Sequence, residues 1–110
     1  MKLKRSEKGA RIARFIGNHA GWIGLRWDNA TSTLNAPFPH AIRVVTERST
    51  VNFMIACRHL PEKGLPVVIR YDGDIESVDR AIVGMTLHTY ATLVAGYEEG
   101  RQNDSPTHDR

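Results

Sequence analysis

Apolar residues Ile12, Phe15, Ile16 and Ala20 recur at helical spacing, with Lys8, Arg11, Arg14 and Asn18 off that line. The pattern predicts an amphipathic helix over 6–20. Ser6 stands where a cap is needed, and Gly21 stands where a left-handed residue ends a helix. Beyond it the period changes. Ile23, Leu25 and Trp27 alternate with Gly24 and Arg26, which reads as a half-buried strand. Residues 28–33 have turn chemistry, and the two prolines of Asn35–His40 stiffen the loop that follows. Ala41–Glu47 is rich in β-branched residues and reads as a second strand.

Thr50–Leu60 fits two patterns. As a strand it places Val51, Phe53, Ile55 and Cys57 on one face. As a helix it would use Ser49 as its cap. The alternation favours the strand, and Leu60–Leu65 then resembles a hairpin turn with proline early and glycine late. Val67, Ile69 and Tyr71 continue as a further strand. Asp74 would cap a long helix from Ile75 to Tyr97 carrying two apolar stripes, one of Ile75, Val78, Ile82, Met85 and Leu93. The second stripe, Val83, Leu87, Tyr90, Val94 and Tyr97, exceeds what one sheet face requires and marks an oligomer or partner interface.

The expected fold is α+β: an N-terminal helix, an antiparallel sheet of about four strands, and a long C-terminal helix packed on the sheet. One domain spans 1–98, with a basic arm at 1–5, and 99–110 reads as a polar, disordered tail. The 110 residues are 41% hydrophobic, enough for one modest core. No apolar run approaches the roughly 20 residues of a membrane helix. A single cysteine, Cys57, excludes an internal disulfide framework, so a cytoplasmic setting is expected.

Charge changes the picture most. Residues 1–27 hold seven basic side chains against Glu7 alone, whereas 72–110 hold three basic and eight acidic ones. Lys2, Lys4, Arg5, Lys8, Arg11, Arg14 and Arg26 are therefore candidates for an anionic partner, with Trp22 and Trp27 able to stack on unpaired bases. Nucleic acid or an anionic, nucleic-acid-handling protein complex fits that role.

The other candidate chemistry is weak. Counting a calcium loop from Asp72 puts Ser77 and Val83 where glycine and glutamate are required, so helix capping accounts better for the carboxylates. The five histidines stand singly, without metal-ligand spacing, so no metal or cofactor is expected. His88 reads as a buried or interfacial histidine. Cys57 lies in an apolar run that favours an inert thiol.

The expected function is a non-enzymatic regulatory or accessory binding module acting through its basic N-terminal region. The alternative is a protein–protein inhibitor or adaptor of the small phage or plasmid type, working through the apolar C-terminal helix or forming a homodimer. A small-ligand site around Asp72, Asp74, His40 or Tyr71 is the third reading.

Overall fold

A computed structural model gives the arrangement of residues 3–46, 50–74 and 76–104. The fold is α+β, as the sequence predicts. Helix α1 spans Arg5–Ala20, and strands β1 (Trp27–Asp28), β2 (Thr33–Leu34) and β3 (His40–Val45) follow. Helix α2 is Thr50–Arg58, β4 is Leu65–Arg70, β5 is Ile82–Met85 and helix α3 is Leu87–Asp104, with a short 3-10 turn at Val78–Arg80. The five strands lie in sequence order in one sheet.

Helix α1 forms where its stripe predicts. Its entry is one turn-start earlier than expected: Lys4, not Ser6, is the cap position, and the Lys4 amide reaches Glu7 Oε1 at 3.4 Å. Gly21 ends it with φ of 72°, its amide bonding back to Gly17. The strand expected at 23–27 shortens to Trp27–Asp28, and Ile23 is fully solvent-exposed.

Two expectations are corrected. Residues 50–58 are helix, not strand. Phe53, Ala56, Cys57 and Leu60 are partly buried at helical spacing, whereas Val51, Met54 and Ile55 face outward. With a helix between them, β3 and β4 pair in parallel, Ile42 opposite Val67 and Val44 opposite Ile69. A parallel pair needs such a crossover, whereas a tight hairpin joins only antiparallel strands. The sheet is therefore mixed, with its other pairs antiparallel.

The second correction concerns the predicted long helix 75–97. Its first half contains β5, where Val83 pairs with Ile69 and Gly84 with Val68. A new helix then starts at Leu87 because Thr86 caps it: the Thr89 amide donates to Thr86 Oγ1 at 3.2 Å. This helix continues to Asp104, through the first part of the segment read as a tail; 105–110 lie outside the described residues.

Sheet and helices form three layers. On one face Ile12 and Ala13 of α1 meet Leu34, Ile42, Val44, Ile69 and Tyr71, with Trp22, Leu25 and Trp27 packed around them. Burying such side chains contributes about 1.5–3 kcal/mol each. On the other face α2 crosses β4 and β5, close enough that a Cβ at Gly84 would come within 2.5 Å of Cys57 Sγ. Val68 beneath it is fully buried. Helix α3 packs at its first turn, where Thr89 is fully buried, and then leaves the body. The molecule measures 54 × 28 × 24 Å, and its 15.5 Å radius of gyration exceeds the roughly 13 Å of a compact chain this long.

Candidate functional site: a cationic groove and a projecting helix

Of the described basic N-terminal residues, Lys8 is turned inward. Lys8 is buried, although it lies on α1, because its stem crosses the core edge. Its Nζ donates to the Thr46 carbonyl at 3.1 Å and lies 3.4 Å from Asp74 Oδ2. Asp74 also accepts from the Leu3 amide at 2.8 Å. These bonds fasten the start of α1 to the loop after β4. Lys2 falls outside the described residues.

Arg5 bonds Ser32 Oγ and sits 5.7 Å from the centre of the Trp27 ring. Trp27 is in turn pressed onto α1 at Gly9, where a Cβ would fall inside its ring. Its indole N–H donates to Asn29 Oδ1 at 3.2 Å. The indole is therefore held against α1 by Gly9 and Arg5. Lys4, Arg11, Arg14 and Arg26 remain exposed. Trp22 is half-buried, its ring 4.8 Å from that of His40. It shares a shallow cleft with Arg14, Asn18 and Ile23 at the C-terminal end of α1.

Several of the carboxylates and His40 make contacts within the fold. Asp72 is buried, and its Oδ1 accepts from the Asp74 amide at 3.2 Å. The Asp72 amide donates to Glu76 Oε1 at 2.8 Å. Tyr71 is fully buried within the core. His40 packs on Trp22, so Asp72, Asp74, Tyr71 and His40 do not converge on an open site. His88 is exposed on α3, which excludes the buried alternative of the expected buried or interfacial position. Among the described residues no group of acids, histidines and the cysteine has the arrangement of a metal site. Burial pushes the Cys57 thiol up, in keeping with an inert cysteine.

A larger concavity than the cleft beside Trp22 lies on the α2 side of the sheet. Helix α2 covers β4 and β5 but leaves β2 and β3 bare. A groove of about 670 Å³ runs between them. Ala41, Val45, Pro66 and Val68 contribute its floor, and Ile55, Ala56 and Leu60 its helical wall. Arg5, Arg43 and His59 bring cationic or titratable groups to it, and no carboxylate lines it among the described residues. Arg43 is exposed although it sits mid-strand. Sequence reasoning missed this site, because reading 50–60 as a strand removed the helix that forms its wall.

The second feature is the apolar surface of α3 and its approach. Val83 is 45% exposed, Leu87 80%, Tyr90 57%, Val94 37% and Tyr97 68%. All the interface residues singled out from the sequence are thus open to solvent. Leu87, Tyr90, Val94 and Tyr97 follow alternating steps of three and four, which aligns them along one side of the helix. Exposed apolar side chains aligned in this way make α3 a candidate interaction surface. No described helix is long and apolar enough to cross a membrane. No protein-family model, curated protein or solved structure matches the chain.

Proposed function

We propose that the chain is a non-enzymatic protein-binding module whose groove, between α2 and the bare part of the sheet, receives an amphipathic, acidic helical segment. One observation carries this reading: an apolar floor bordered by Arg5, Arg43 and His59 without a carboxylate among the described lining residues. Helix-in-groove recognition uses apolar anchors for affinity, with charge setting which helices are accepted. Titration of the labelled protein with two synthetic amphipathic helices, one rich in glutamate and one in lysine, tests it. The acidic peptide shifts the amides of Arg43, Ala56 and His59, and Arg43→Glu weakens it by about tenfold or more. Equal binding of both peptides, or of neither, refutes the reading.

A second reading rests on the cleft that Arg14 shares with Trp22. With exposed Lys4, Arg11 and Arg26, it offers single-stranded nucleic acid a partly open aromatic ring beside cations. Titration with an oligonucleotide at low salt separates the two: shifts at Arg14 and Trp22, weakening as salt rises, favour this reading.

A further inference from the structure

Resting on the groove reading above, we propose that its natural occupant is α3 of a second copy of this chain, exchanged reciprocally so that each copy's helix lies in the other's groove. Helix α3 has the chemistry the groove selects. Leu87, Tyr90, Val94 and Tyr97 form its apolar side, all exposed. Glu98, one helical step from Val94, flanks that side, and Glu99 follows. Among the described residues the charged side chains lining the groove are Arg5 and Arg43; the exchange would bring to them Glu98, which is paired with Arg101 in its own helix. The chain therefore carries both halves of a complementary pair.

Geometry keeps the two halves apart within one copy. The sheet order places β5 at the edge farthest from β1 and β2, and α2 stands over β4 and β5, with Phe53 and Cys57 against Gly84. The groove opens beyond α2, over β2 and β3. Only Thr86 joins β5 to α3, and its side chain is committed to capping. A copy's own helix has no slack with which to cross α2.

The area fits a concentration-dependent association. The apolar side from Leu87 to Tyr97 is about 15 Å long on a helix about 10 Å wide, so it presents on the order of 240 Å². Two helices and two grooves then bury roughly 1,000 Å², the size of a weak, reversible interface. Reciprocal exchange gives a closed two-fold dimer, in which the same patch serves both copies.

Sedimentation of the full chain over micromolar to millimolar concentrations tests the proposal. The expected species is a dimer, with Arg43→Glu and Val94→Asp each raising its dissociation constant at least tenfold. Reversing the helix charges by Glu98→Lys and Glu99→Lys on the Arg43→Glu background restores association. Mixing the Arg43→Glu chain with the Val94→Asp chain provides the sharpest arm. Where each substitution abolishes the contact it enters, a parent dimer loses both contacts and a mixed pair keeps one, so mixed pairs form more readily than either parent dimer. A symmetric helix-to-helix dimer gives no such complementation, and its appearance overturns the proposal. A chain that stays monomeric while the acidic peptide still shifts groove amides defeats the second-copy assignment alone. A dimer indifferent to Arg43→Glu, together with a groove that binds neither peptide, defeats the groove reading as well.

Discussion

Gly9 and Trp27 show how one side chain fixes the placement of a helix. An alanine at position 9 has the higher helix propensity by about 1 kcal/mol, so sequence alone counts Gly9 as a weakness of the first turns. Its Cβ, however, would occupy the space of the Trp27 ring. Gly9→Ala is therefore expected to destabilise the fold by about 1–3 kcal/mol, the usual cost of overpacking, with a lowered melting temperature and altered tryptophan fluorescence. Lys8 works in the opposite sense, as a charge used inside rather than displayed. Both members of the Lys8–Asp74 pair are at most 14% exposed. Replacing Lys8 with methionine leaves Asp74 without that cation and is expected to cost about 2 kcal/mol, less than the 3–5 kcal/mol of a fully buried pair. Chemical denaturation measures it. Tyr71 offers a contrast: its buried hydroxyl has no hydrogen-bond partner among the described residues. Tyr71→Phe should accordingly leave the denaturation midpoint nearly unchanged or raise it.

At the scale of elements, Gly84 controls how closely α2 approaches the sheet. Gly84→Val would drive a branched side chain into Cys57 and Phe53. The expected result is a loosened α2, read as faster alkylation of Cys57 than in the unaltered chain. How far these elements were legible in the sequence depended on whether one period stood alone. Helix α1 had a single stripe and a glycine stop, and both formed. Residues 50–60 carried two periods at once, because Val51, Phe53, Ile55 and Cys57 alternate while Phe53, Ala56, Cys57 and Leu60 step helically. Tertiary context decided between them: α2 buries only the second set against β4 and β5. The β5–α3 boundary was hidden for a different reason. Apolar residues run through Ile82–Met85 and resume at Leu87, so the signal was the threonine between them, acting through its hydroxyl. The candidate interface on α3 was readable as surplus apolar surface. The groove was not, since it exists only once α2 is a helix and β3 and β4 run parallel.

For the whole molecule, part of the charge separated along the chain is used internally. Lys8 and Asp74 meet in the interior, while Arg5 turns toward Trp27 and Ser32. What the molecule presents is a compact three-layer body with one helix projecting from it. That shape predicts a linkage between concentration and stability. If α3 is accommodated by a second copy, the melting temperature of the full chain rises with protein concentration, as for any fold stabilised by association. A chain ending at Thr86 should melt at a temperature independent of concentration. Calorimetry at two concentrations makes the comparison directly.

The single threonine between β5 and α3 also acts mechanically. With an arm about 27 Å long, a swing of about 20° at this pivot carries the Asp104 end through roughly 9 Å. The bearing of the outrigger is thus set at its root, where the Thr86 hydroxyl caps the first turn and Thr89 is buried against the body, and replacing Thr86 loosens that seat.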